Sequence, residues 1–103
     1  MKTTIKIYQI KDIANTIYAF RSYNKDMFNF EDYEQVFEST YETIGEQVEI
    51  DLENVFKLGN DGTLKSLVNH MHSISTSDII VIDGAAFYIQ SIGFKLLGKE
   101  EDL

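Results

Sequence analysis

The chain has 103 residues, with 17 Asp and Glu against nine Lys and Arg, for a formal net charge of −8 and no Cys, Pro or Trp. That length supports one domain spanning residues 1–103. Without cysteine, a disulfide scaffold and a Cys-based zinc site are excluded, and a strong negative charge argues against direct nucleic-acid binding, which needs cations for the phosphates.

In chain order, the first element is an N-terminal strand over residues 4–10, where Ile5 and Ile7 alternate with Lys6 and Tyr8. Lys11 and Asp12 turn the chain, and the weak alternation of Tyr18 to Tyr23 predicts a second strand. Residues 31–45 are open between two readings. Tyr33, Val36, Phe37, Thr40, Tyr41 and Ile44 follow helical spacing, but their β-branched and aromatic character also suits a strand. A helix is predicted over about 51–58, with Asp51 as N-cap and Gly59 as stop, and a second over about 63–71 from Leu64, Leu67, Val68 and Met71. The run Asp78-Ile-Ile-Val-Ile82, then Asp83-Gly84, then Ala86 to Ile92 predicts a hairpin over 78–92, with Gly93 bending the chain before Phe94. The expected class is α+β: a small antiparallel sheet carrying one or two short helices.

The charge is uneven. Between Asp26 and Phe56 lie ten of the 17 acids and none of the nine bases. Either this is a solvated face that maintains solubility, or it is a surface directed at a cationic partner. The candidate contact residues are Glu31, Asp32, Glu34, Glu38, Glu42, Glu46 and Glu49, with Phe28 and Phe30 as aromatic anchors rimmed by charge. The competing role for Phe28 and Phe30 is core filling, as a domain this small needs its large side chains inside.

Catalytic signals are weak. His70 and His72, at i and i+2, do not share a helix face, and no metal site is expected. The hydroxyls of Ser73, Ser75, Thr76 and Ser77 lack a nucleophile elbow and read as caps for backbone groups before the strand, with Asp78 accepting backbone N–H bonds there. No phosphate-cradling glycine loop is present. The expectation is therefore no enzyme, no cofactor and no metal. The longest apolar run, Ile79 to Ile82, is too short to span a bilayer, and the N-terminus has no signal-peptide pattern. The expected protein is complete, cytoplasmic and not associated with a membrane.

Ser73-Ile-Ser-Thr-Ser-Asp-Ile-Ile-Val-Ile-Asp-Gly84, followed by Phe87-Tyr-Ile-Gln-Ser-Ile-Gly-Phe94, resembles the C-terminal signature of YodL-like domains. Ile7 to Asp12, Tyr18 to Tyr23, Tyr33 to Glu38 and Leu52 to Phe56 are similar to the earlier parts of that family. The likeness departs between Glu38 and Asp51 and again after Asn60. It implies a strand at Tyr33 to Glu38, no catalytic residues, and an origin in plasmids, conjugative elements and phages of Gram-positive bacteria, near anti-defence genes. Two expectations follow. The first is an accessory protein that inhibits a host defence protein of CRISPR or restriction type, with its carboxylates imitating nucleic acid. The second is a generic interaction module acting on a non-nuclease protein. Neither specifies an oligomeric state.

Overall fold

The computed structural model describes residues 2–42, 48–60 and 71–103. Strands β1 (Lys2–Ile10), β2 (Tyr33–Glu42), β3 (Ile79–Ile82), β4 (Ala85–Ile89) and β5 (Phe94–Lys99) form one sheet in the order β2-β1-β3-β4-β5. Every neighbouring pair is antiparallel. Helix α1 (Val48–Asn60) is the one α-helix among the described residues, and short 3-10 turns lie at Ile13–Asn15, Phe30–Asp32 and Glu100–Asp102. The architecture is α+β and mostly sheet.

β1 is the organising strand because it is paired on both sides. Its Ile5 and Ile7 point to one face and join Phe37, Ile80, Ile82 and Ile89 beneath Leu52 and Val55 of α1. The opposite face carries Ile10, Ile79, Val81, Ala86 and Tyr88, covered in part by Tyr18 and the irregular segment 11–32. β3 is buried at all four positions, which is why Ile-Ile-Val-Ile is apolar throughout and not alternating.

The β3–β4 hairpin forms about the predicted Asp-Gly turn but is shorter than the expected 78–92, its strands spanning Ile79–Ile82 and Ala85–Ile89. Asp83 and Gly84 have φ of 50° and 81°, the paired positive values that a type I′ turn requires and that Asp-Gly supplies at low cost. Gly93 takes φ of 78° at the bend into β5.

Several expectations need correction. The N-terminal strand starts at Lys2, two residues earlier than predicted. Tyr18 to Tyr23 is not a strand: turns run through Phe20 and a bend follows at Arg21, because Ala19 N–H donates to Thr16 O and Arg21 N–H to Tyr18 O, while Phe20 N–H goes to a side chain, Ser77 Oγ, and not to a strand ladder. Residues 33–42 form a strand, so the helical reading fails and the strand implied by the family likeness holds. Helix α1 starts at Val48, so Asp51 is buried within the helix and does not cap it. Gly59 does not stop it either; it lies inside the helix, where a Cβ would come within 2.2 Å of Ile74 Cδ1. The glycine is there because Ile74 packs directly on the helix backbone. Apart from Met71, which is in neither helix nor strand, the helix predicted over 63–71 lies outside the described residues.

Candidate functional site

The acidic segment enters the sheet through a capped turn. Asn29 Oδ1 accepts the Glu31 N–H at 3.0 Å, fixing the Phe30–Asp32 turn before β2. Asp32 is half-buried and structural: its carboxylate accepts the Tyr18 hydroxyl at 2.6 Å and its carbonyl accepts the Lys11 N–H at 2.9 Å. Burial, then the Asp32 hydrogen bond, pushes the Tyr18 phenol well above its ordinary value.

β2 forms one edge of the sheet, and among the described residues it pairs only with β1. In the register, Gln9 faces Glu34, Lys6 faces Glu38 and Lys2 faces Glu42. The ladder shifts between Ile7 and Tyr8, leaving Val36 as an extra residue. A bulge of this kind reverses the side-chain alternation beyond it. Glu34 and Glu38, four apart, would share a face in a regular strand. Here Glu34 lies on the α1 side with Gln9, and Glu38 lies on the opposite side with Lys6. Both are exposed. Glu34 and Glu38 therefore flank the edge from opposite sides and do not form a single stripe.

On the side of Glu38, a shallow depression of about 390 Å³ is lined by Thr4, Lys6, Glu38, Val81, Asp83, Gly84 and Glu100. Lys6 Nζ donates to both Glu100 carboxylate oxygens, at 3.0 and 3.2 Å, and the Tyr8 hydroxyl donates to the same carboxylate. Burial tends to raise the Glu100 pKa, but the bonds from Tyr8 and Lys6 outweigh it and hold the carboxyl below its ordinary value. Burial and then Glu100 raise the Tyr8 phenol well above its own. Asp83 and Glu100 thus join Glu38 from distant parts of the chain. The hairpin position of Asp83 is readable in the sequence, whereas nothing local marks Glu100.

The other candidates are placed as follows. Phe28 packs edge-on to Tyr88 at 5.9 Å and beside Tyr33 at 5.7 Å; Phe30 lies 5.0 Å from Tyr8 and stacks with Tyr33 at 6.1 Å. Both are half-buried in the aromatic layer under segment 11–32, leaving only part of each ring for a partner. Glu31 is exposed. Glu49 lies in the first turn of α1, and Glu46 lies outside the described residues.

A second polar centre is buried. Asp78 Oδ2 accepts the Ser75 N–H at 3.0 Å and Gln9 Nε2 at 3.1 Å, so it orders the Ser-rich turn as the sequence suggests. Gln9 also binds both the N–H and the carbonyl of His72. Of the hydroxyls read as caps, Ser77 Oγ accepts the Phe20 N–H at 2.9 Å, whereas Ser75 Oγ is buried with no partner among the described residues. His72 Nδ1 lies 2.8 Å from Ser73 O. Among the described residues no group of three or more His, Asp or Glu is placed to hold a metal ion, and no helix is long and apolar enough to cross a membrane.

Fold and surface define a small sheet domain with an acidic edge strand. The YodL-like domain family matches residues 4–99, and the chain belongs to that family. No curated protein and no solved structure matches the chain.

Proposed function

We propose that this domain is a non-enzymatic binding protein, encoded by a mobile element, that inhibits a host defence nuclease of CRISPR or restriction type. The single observation that carries this reading is the edge strand β2, with Glu34 and Glu38 exposed on its two sides in a stretch free of Lys and Arg from residue 26 to 56. Nucleases hold their substrate in channels lined by Lys and Arg. Carboxylates offered on both sides of an edge can enter such a channel, and a negative surface speeds association with it. A binding role is also supported by the use of the less exposed carboxylates: Asp32, Asp78 and Glu100 are committed to hydrogen bonds that hold the fold together. The mobile-element origin rests on the family likeness, and a cytoplasmic site of action follows from the target.

The second reading is an interaction module for a non-nuclease protein. It is favoured by the Val36 bulge, which prevents Glu34 and Glu38 from forming one continuous row.

The test is affinity capture from a bacterial lysate at about 0.05 and 0.5 M salt, using the wild type and an E31K/E34K/E38K/E42K variant. The expected result is a nuclease captured at low salt, released at high salt, inhibited in a cleavage assay by the wild type and not by the variant. Equal inhibition by the folded variant would remove the acidic edge from the mechanism. Salt-independent capture of a protein without nuclease activity would establish the second reading.

A further inference from the structure

We infer that the end of the sheet formed by Phe20, Arg21, Ile92 and Lys95 is a docking surface for an acidic protein segment with an apolar anchor, separate from the acidic edge. The segment around Phe20 is stapled to this end. Phe20 N–H donates to Ser77 Oγ at 2.9 Å. The Tyr88 hydroxyl donates to Arg21 O at 2.7 Å. Ser91 N–H donates to Ser22 Oγ at 3.0 Å. These bonds hold residues 20–22 against the start of β3 and the β4–β5 turn.

On this frame, two large apolar side chains project outward. Phe20 is 54% exposed and Ile92 92% exposed, while Phe28, Tyr23 and Tyr18 of the same segment pack inward. Phe20 also has φ of +65°, a left-handed conformation that a bulky residue adopts only under constraint. The turn closed by Arg21 N–H on Tyr18 O at 3.0 Å puts Phe20 at the position that takes positive φ, and this fixed turn is what holds the ring out at the surface.

The charge identifies the partner. Arg21 follows Phe20 in the chain and Lys95 lies three residues after Ile92; both are exposed and have no ion-pair partner among the described residues. Lys95 Nζ lies 5.6 Å from the centre of the Tyr23 ring, which orients it. In a chain of net charge −8, a local pair of unpaired cations beside apolar groups complements carboxylates. A protein segment fits better than a nucleic acid, because Ile92 gives no stacking surface for a base and the whole-chain charge repels a phosphate backbone.

The experiment is panning of a displayed random 12-residue peptide library against the wild-type chain, with backbone NMR of the chain titrated with the enriched peptides and, separately, with single-stranded dT15. The comparison chain is F20N/I92S, since Asn tolerates positive φ and Ile92 makes little packing contact, so its melting temperature should match that of the wild type. The expected result is enrichment of peptides carrying Asp or Glu with an apolar residue. They should shift the amides of residues 20–22 and 91–95, and bind F20N/I92S at least tenfold more weakly. Basic peptides that shift only β2, peptides that bind both chains equally, no enrichment at all, or dT15 shifting residues 20–22 more strongly than any peptide would each overturn the proposal.

Discussion

Asp78 is almost wholly buried, and burial raises its carboxyl to about 6 despite the opposing bonds from Ser75 and Gln9 and the proximity of His72. The ionised form is therefore disfavoured in the fold relative to the unfolded chain. A carboxyl with a raised folded value stabilises the protein most where it is protonated, below about pH 4, and that contribution is lost as pH rises to about 6. The difference between those two values corresponds to about 3 kcal/mol as an upper bound. In D78N the amide oxygen can still accept from Ser75 and Gln9, but nothing titrates. Urea unfolding of the two proteins from pH 4 to pH 7 should show the wild type losing up to that amount relative to D78N. Parallel profiles would mean that Asp78 is ionised across the range. The acceptor role of Asp78 was legible because it follows a hydroxyl-rich turn. Its partner Gln9 was not, because the contact joins residues 69 positions apart and one Gln in a strand has no local signature.

The ambiguity of residues 31–45 has a structural cause at the scale of elements. Between Tyr33 and Thr40 the buried residues of β2 are Tyr33, Val36 and Phe37, a spacing of three and four that is the signature of a helix. The bulge at Val36 generates it, because one extra residue shifts the two-residue alternation out of phase. Periodicity cannot separate a bulged strand from a helix turn; only the pairing with β1 does. By contrast, the β3–β4 hairpin was legible because Asp-Gly specifies its own turn. The existence of α1 was legible and its limits were not, because Gly59 looks like a terminator in a linear sequence but fills a close contact in space. That contact yields a prediction. Ala in a helix is favoured over Gly by about 1 kcal/mol. Here the new methyl would meet Ile74 Cδ1 at 2.2 Å and Cγ1 at 2.4 Å, and overpacking a buried site costs roughly 1–3 kcal/mol. The cost exceeds the gain by up to about 2 kcal/mol, so G59A should lose up to that amount in thermal or urea unfolding. In an I74A background the same change should become neutral or favourable, since the obstruction is gone. An equal loss in both backgrounds would place the strain elsewhere.

For the whole molecule, the sequence located the acids but could not orient them; register and bulge do that, placing Glu34 and Glu38 on opposite sides of one edge. The candidate anchors illustrate the same limit. Phe28 and Phe30 sit among acids in the sequence but turn inward, while Phe20, in a segment that reads as a strand, faces outward through a conformation that no pattern foretells. Net charge still has a consequence independent of orientation. At −8 the folded chain repels itself, and salt should relieve that repulsion. The melting temperature should rise by a few degrees between about 0.02 and 0.3 M NaCl, on the scale of roughly 4–8 °C per kcal/mol for a domain of this size. Each Glu→Lys reversal adds two charges, so E31K/E34K/E38K/E42K brings the formal net charge to zero and should lose most of that rise. A control with the same net charge, D26K/E53K/E101K/D102K, reverses four other acids and should lose the rise equally while leaving β2 intact. The two variants separate stability from recognition. If the acids of the β2 edge contact a cationic partner, only the first loses binding. Equal loss in both would mean that binding follows overall charge and that the edge strand has no special part in it.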